Sequence, residues 1–183
     1  LNSASLPPAV VMPAVSAGSI TANSLISSTD SITMGSGSDF RIDTSAWGWQ
    51  AGDQYSGGAP AGFNGLVERL PELWNGNNAL EAAGRQTLDA LSVIRPMNFR
   101  PYSATNPGGY SPANGAVYPS NAFSNQLRMI AQLVKADVGL RAGAIDFGGW
   151  DTHNGQGVPT SSYDAYGNNV QIHAAASTEF YTD

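Results

Sequence analysis

The amino-acid sequence predicts an α/β fold with a partial, mostly parallel sheet, flanking helices and long loops rich in proline and glycine. Two observations lead to this prediction. A helical pattern, a tight turn and an apolar strand follow one another between residues 120 and 147, which is the αβ unit of a parallel sheet. The glycine-rich stretch "GGWDTHNGQG", Gly148 to Gly157, comes next, where ligands bind in such sheets.

The composition is that of a globular protein and argues against several functions. Charged residues make up 12% of the 183 residues, about half of the usual ~25%. The net charge is −6 and the eight Lys and Arg residues form no cluster, which argues against nucleic acid as a partner. No apolar run reaches the ~18 residues of a transmembrane segment. The chain has no cysteine, so disulfides, thiolate nucleophiles and cysteine-based zinc sites are excluded.

The N-terminal part predicts short strands. Ala9 to Met12 read as a strand that ends at Pro13, because proline lacks a backbone N–H for a central ladder. Residues 16–46 are rich in Ser, Thr and Gly and predict short strands or a long excursion. The residues expected to be buried in this stretch are Ile20, Leu25, Ile26 and Ile32.

A loop is predicted from Trp47 to Gly58. Trp47 and Trp49 are separated by one residue, so they point to the same side if the segment is extended. The favoured interpretation is a hydrophobic plug over the edge of the core. The alternative is a platform that stacks on a sugar or a nucleobase.

Two helices are predicted in the middle of the chain. The apolar pattern from Phe63 to Trp74 should end or kink near Leu70, because Pro71 interrupts it. In "NNALEAAGRQTLDALSVI", Asn78 and Glu81 have the spacing of a capping box, and Pro96 ends the helix. The apolar stripe of this second helix is Leu80, Ala83, Thr87, Leu88, Leu91 and Ile94.

The proline-rich residues 95–120 predict an ordered loop or lid, held by the aromatic side chains Phe99, Tyr102, Tyr110 and Tyr118. A helix capped by Ser120 or Asn121 follows, with the core stripe Phe123, Leu127, Ile130, Ala131 and Val134. A turn at Gly139 leads to a strand from Leu140 to Phe147. The last stretch predicts a helix whose shared face is Val170, Ala174, Ser177 and Tyr181.

Asp151 and His153 are the candidate metal ligands. Carboxylate and neutral imidazole suit divalent metals, and the i, i+2 spacing puts both on one side of an extended loop. Asn154 and Gln156 are candidates to support these ligands through hydrogen bonds. Two ligands make half of a site, and spacing ties neither His173 nor any other carboxylate to them. The alternative is that Asp151 caps a turn or helix and His153 is a surface residue.

The stretch "GGWDTHNGQ", following the helix and strand of "FSNQLRMIAQLVKADVGLRAGAIDF", resembles the bacterial family called domain of unknown function 1501. That family is similar to the alkaline phosphatase and sulfatase superfamily. The matching positions are Leu127, Arg128, Ile130 and Ala131, then Gly148 to His153, and Gln156. The clear match covers roughly residues 118–157.

The resemblance implies an alkaline-phosphatase-like α/β sandwich in which Asp151 and His153 bind a divalent metal. Zinc is expected first, with manganese, iron or calcium as alternatives. It also implies two-metal hydrolysis of a small-molecule phosphate or sulfate ester. The family usually carries a twin-arginine export signal, which implies a periplasmic or extracellular location.

The sequence departs from the family pattern, because the upstream Gly-Gly-x-Asp-Gly and downstream Asp-His-Gly segments are missing. Both should supply metal ligands. Residues 1–183 are therefore expected to form a single domain that is the incomplete central part of a larger one. The remaining ligands and the nucleophile would lie outside this chain, and other protein chains are possible partners.

Two non-enzymatic functions stay open at this point. The first is an exported protein that keeps the fold and uses its Pro/Tyr-rich and Trp loops for assembly or surface binding. The second is carbohydrate binding through Trp47 and Trp49.

Overall fold

The computed structural model describes residues 10–37, 70–94, 96–153, 156–158 and 163–183. The chain divides into two compact units, one of Leu1–Asp39 with Asn98–Asp183 and one of Phe40–Met97. The strands are β1 (Ala14–Ala17), β2 (Ser31–Met34) and β3 (Ala142–Ala144). The helices are α1 (Ala79–Ile94), α2 (Ala122–Lys135) and α3 (Ala165–Thr182).

The first unit contains a parallel sheet. In the described residues the strand order is β2-β1-β3, and Ala14 of β1 lies opposite Ser31 and Ala142. All four residues of the central strand β1 are buried. A parallel sheet with a buried central strand and accompanying helices is an α/β arrangement, so the predicted fold class is confirmed at this level.

The predicted first strand is wrong in its position. The strand begins directly after Pro13 instead of ending there. The Pro13 carbonyl accepts hydrogen bonds from the backbone N–H groups of Arg141 (2.9 Å) and Ala142 (3.1 Å). Proline lacks only the donor and keeps its acceptor, so it can precede a central strand.

The predicted burial of four apolar residues between Ile20 and Ile32 is right for two of them and wrong for the other two. Leu25 and Ile32 are buried, whereas Ile20 and Ile26 are 73% and 66% exposed. Residues Asn23–Leu25 form a 3₁₀ turn, so the alternation expected of a strand does not apply there. One of the short strands predicted within residues 16–46 is present as β2, Ser31–Met34.

Helix α2 packs against β1 and α3. Its first turn is capped by Asn121, whose Oδ1 accepts the Ser124 N–H at 2.8 Å. The predicted stripe is right at its centre, but Val134 is exposed and Leu133 is buried instead. The buried residues of the helix are Phe123, Ser124, Met129, Ile130, Ala131 and Leu133.

Helix α3 extends over 18 residues and begins at an Asp164 cap, whose Oδ1 accepts the Gly167 N–H at 2.7 Å. The predicted apolar face of this helix is wrong, because Tyr181 is 93% exposed and Val170 is 42% exposed. The buried residue is Ala176. Small residues dominate the helix, so its apolar periodicity is weak. Its orientation is set by packing against α2.

The second unit contains α1, and its capping box is confirmed. Asn78 Oδ1 accepts the Glu81 N–H at 2.9 Å, and Glu81 Oε2 accepts the Asn78 N–H at 3.3 Å. The C-terminal residues Leu91 and Ile94 of the predicted stripe are buried, whereas Leu80 is 77% exposed.

The helix predicted to end or kink near Leu70 is helical as far as Leu73, and the residues before Leu70 lie outside the described part of the chain. Residues 70–73 are helical, and the Trp74 N–H donates to the Leu70 carbonyl at 3.0 Å. The described helical backbone therefore includes Pro71 and extends to Leu73. The predicted loop of Trp47 and Trp49 lies outside the described residues.

Candidate functional site

The candidate site lies on the loop that follows β3, at the carboxyl end of the parallel sheet. The ladder ends at Ala144, so the predicted strand to Phe147 is too long. Gly149 has φ of +85°, a conformation that favours glycine, and this turn redirects the chain. The Asn169 side-chain amide of α3 donates to the Gly149 carbonyl at 2.6 Å and fixes the turn.

Asp151 and His153 meet directly beyond this turn. Asp151 Oδ1 lies 2.8 Å from His153 Nε2. The two side chains are 75% and 84% exposed, respectively. The i, i+2 spacing therefore does bring the carboxylate and the imidazole together on one side of the loop.

The separation of these two atoms is that of a hydrogen bond between imidazole and carboxylate. Protein ligands lie ~2.0–2.2 Å from a tetrahedral zinc ion, so neighbouring nitrogen and oxygen ligands are about 3.4 Å apart, and the pair would have to separate slightly to bind one. Among the described residues, no group of three or more His, Cys, Asp and Glu side chains lies close enough to hold a metal. Within the described residues, Asp151 and His153 are therefore two neighbouring donor side chains without a third.

An aromatic cluster holds the base of the loop. The Phe147 ring stacks on Phe123 of α2 at 4.6 Å between centroids and meets the edge of Trp150 at 5.5 Å. Trp150 in turn contacts Tyr166 of α3 at 5.9 Å. This cluster was not predicted from the sequence. Its signal was the three-residue spacing of Phe147 and Trp150 around the two glycines.

His173 belongs to this aromatic cluster rather than to the Asp151–His153 pair. Its ring, which projects from α3, stacks on the Phe123 ring with 5.3 Å between the ring centroids. Gln156 is exposed, and its side chain makes no hydrogen bond to another described residue. Asn154 lies outside the described residues. The supporting roles of Gln156 and Asn154 therefore remain predictions.

The Pro/Tyr-rich loop is fastened to the end of α3 by Asp183. The phenol groups of Tyr110 and Tyr118 donate to Asp183 Oδ2 at 2.8 and 3.0 Å, and the Ala113 N–H donates to Oδ1 at 2.7 Å. Lys135 of α2 forms an ion pair with the same carboxylate. The prediction of an ordered loop is confirmed for Tyr110 and Tyr118, and Phe99 is buried. Tyr102 is 58% exposed and is not part of this attachment.

We call this attachment the Asp183 clamp; its residues are Tyr110, Ala113, Tyr118, Lys135 and Asp183. Its electrostatics favour neutral tyrosines and an ionised Asp183. Burial raises the pKa of the Tyr118 phenol above its ordinary value, and the hydrogen bond to Asp183 adds to this shift. Burial alone would raise the pKa of the Asp183 carboxyl. Hydrogen bonds from Lys135, the Ala113 N–H and the two tyrosines nevertheless hold it below its ordinary value. The clamp therefore joins neutral phenols to an ionised carboxylate.

Comparison of the chain with protein-family models, curated proteins and solved structures gave no match. Among the described residues, none of the helices combines the length and apolar character needed to cross a membrane.

Proposed function

We propose that this chain belongs to an exported, alkaline-phosphatase-like hydrolase of phosphate or sulfate esters, located in the periplasm or outside the cell. In this proposal Asp151 and His153 are two of its metal ligands. The observation that supports it most is their 2.8 Å approach on the glycine turn beyond β3. This is the end of a parallel sheet at which α/β proteins bind ligands.

The chemistry of the two side chains suits this role. A carboxylate supplies an anionic oxygen and a neutral imidazole supplies a nitrogen, a combination that binds zinc, manganese or iron. A divalent metal held there would activate a nucleophile and neutralise charge on the transferred group. Asp151 and His153 would hold the metal, while Gln156 and Asn154 would orient the loop.

The supports of the loop suit a site that must keep its geometry. The hydrogen bond from Asn169 and the contacts of Phe147 and Trp150 fix the turn from α2 and α3. Both side chains project into solvent. They are not packed in the core, so both would be available to bind a metal. Additional ligands would come from outside the described residues.

Hydrolysis of p-nitrophenyl phosphate and p-nitrophenyl sulfate tests the proposal. The full-length protein, loaded with zinc or manganese, is expected to hydrolyse at least one of them. Asp151→Asn and His153→Ala should each lower kcat/KM by at least ~100-fold, the order expected when a catalytic metal or its support is lost. Asp146→Asn is the matched control outside the pair and should retain activity. Equal losses in the control and the variants would contradict the proposal.

A non-enzymatic assembly or surface-binding protein with the same fold is the second candidate. Trp150 and Tyr166 favour it, because these neighbouring aromatic side chains are 42% and 49% exposed beside the loop. Under this alternative the metal-loaded protein hydrolyses neither ester.

A further inference from the structure

A cavity of about 340 Å³ lies within the first unit, away from the aromatic cluster. Its walls come from the segment after β2, from residues 99–101 and from the N-terminal half of α2. Its volume falls at the lower end of the ~300–1,000 Å³ range of small-molecule sites. The residues that matter for its chemistry are Phe99, Arg100, Asn125, Gln126, Arg128 and Met129.

The cavity is positively charged. Among the residues that line it, the ionisable ones are Arg100, which is exposed, and Arg128, which also borders a second cavity beside Tyr110 and Tyr118. Among pairs of described residues, Lys135 forms an ion pair with Asp183, and Asp151 Oδ1 lies at hydrogen-bond distance from His153 Nε2. Within the described part of the chain, therefore, neither arginine has a carboxylate partner.

Arg128 carries the argument furthest. Its side chain is half-buried, and burial lowers the pKa of the guanidinium from its ordinary value. The nearby Tyr118 phenol stays neutral, because its own pKa is raised and it donates to Asp183. A partly desolvated cation is unfavourable without a counter-charge, so this position gains from a bound anion.

We propose that this cavity binds a tetrahedral oxyanion, phosphate or sulfate, through the guanidinium groups of Arg100 and Arg128. A guanidinium presents parallel N–H donors that match two oxygens of such a group. The side-chain amides of Asn125 and Gln126 line the same cavity and can donate to the remaining oxygens.

The apolar side of the cavity points to an oxyanion carried on an organic molecule. Phe99 and Met129 are buried and form this wall. The Phe99 ring packs so closely on Gly37 that an added Cβ would lie 2.4 Å from it. Phe99 and the segment after β2 are therefore in direct contact, which makes this wall a built feature of the fold.

The oxyanion site shares no residue with the Asp151–His153 pair. It goes beyond the proposed function and does not depend on it. An experiment carried out with a chelator present separates the two, because no metal is then available to hold the anion.

Calorimetric titration of the full chain with inorganic phosphate and with inorganic sulfate, in EDTA and at constant ionic strength, tests the inference. At least one of the two anions should bind with a measurable Kd, whereas chloride should not. Arg128→Gln should weaken binding at least tenfold, and Arg100→Gln severalfold. The anion that binds tighter identifies the class of ligand.

Arg141→Gln is the matched control, since it removes one exposed positive charge outside this cavity. It should leave the Kd unchanged. Arg128→Lys keeps the charge without the planar donors and should bind more weakly than wild type, which keeps the test valid if Arg128→Gln does not fold. The inference is overturned if phosphate and sulfate bind no better than chloride, or if Arg141→Gln weakens binding as much as Arg128→Gln.

Discussion

His153 Nε2 lies 2.8 Å from Asp151 Oδ1 on a turn that Gly149 makes and Asn169 secures. The two side chains contact each other and are otherwise largely open to solvent. Their separation is a hydrogen-bond distance, so binding one zinc ion would replace the proton between them and widen the gap to about 3.4 Å. Neither side chain is packed into the fold.

Asp151→Asn and His153→Ala should therefore leave the free energy of unfolding nearly unchanged in metal-free protein. Surface substitutions away from packed or capped positions usually change it by no more than about 0.5 kcal/mol. Urea unfolding in EDTA measures this. A loss above about 1 kcal/mol in either variant would instead assign the pair a structural role.

Asn121→Ala should destabilise the first unit by about 1 kcal/mol, because the Ser124 N–H then loses its acceptor at the start of α2. Asn121→Ser is the matched control, since serine also caps helices and should retain most of the stability. Chemical unfolding of both variants checks the difference. Equal stabilities for the alanine and serine variants would contradict the capping role.

Gly139→Ala should destabilise the protein more than Gly115→Ala. Both glycines have positive φ, +78° and +75°, so both substitutions introduce backbone strain. Only at Gly139 would the new Cβ also approach Val10, at 2.9 Å from its Cγ1, whereas the space at Gly115 is open. We expect a difference of at least about 1 kcal/mol. Gly148→Ala is the control with open space and ordinary φ.

The Asp183 clamp should give stability a pH dependence at both ends of the range. The pKa of the Asp183 carboxyl is lower in the folded chain. Its contribution is therefore present above pH ~4 and is lost as the pH falls through the folded value. The pKa of Tyr118 is raised, so its contribution is present below pH ~10 and is lost as the pH rises further.

Asp183→Asn should remove the acid limb of this dependence and lower the stability at pH 7 by about 1–2 kcal/mol. Tyr118→Phe should weaken the alkaline limb and keep the acid limb. Thermal unfolding between pH 3 and pH 11 measures both limbs. An unchanged acid limb in Asp183→Asn would show that the carboxylate does not fasten the loop.

Local patterns predicted the capping box of Asn78 and Glu81, because both partners of such a motif lie within one turn. The same is true of the cap at Asn121 and of the meeting of Asp151 with His153 across one residue. Contacts between distant segments were beyond prediction from the sequence alone. Nothing local to Asp183 signals that two tyrosines more than sixty residues earlier will donate to it.

The misplaced elements have physical causes as well. The missing N–H of Pro13 predicts the end of a strand, but its carbonyl accepts hydrogen bonds from Arg141 and Ala142 at the start of β1. The small residues of α3 give only a weak apolar pattern, so its buried face could not be predicted from the sequence. Packing against α2 buries Ala176 rather than the predicted residues. Contacts with neighbouring elements determine both the start of β1 and the buried face of α3, and local residue patterns do not encode those contacts.

The metal content of the full-length protein tests the central claim most directly. After dialysis against zinc and removal of free ions, elemental analysis of wild type should find at least one zinc per chain. Asp151→Asn and His153→Ala should each lose most of it, while the Asp146→Asn control keeps it. Wild type holding no more zinc than the two variants would contradict the assignment of Asp151 and His153 as metal ligands.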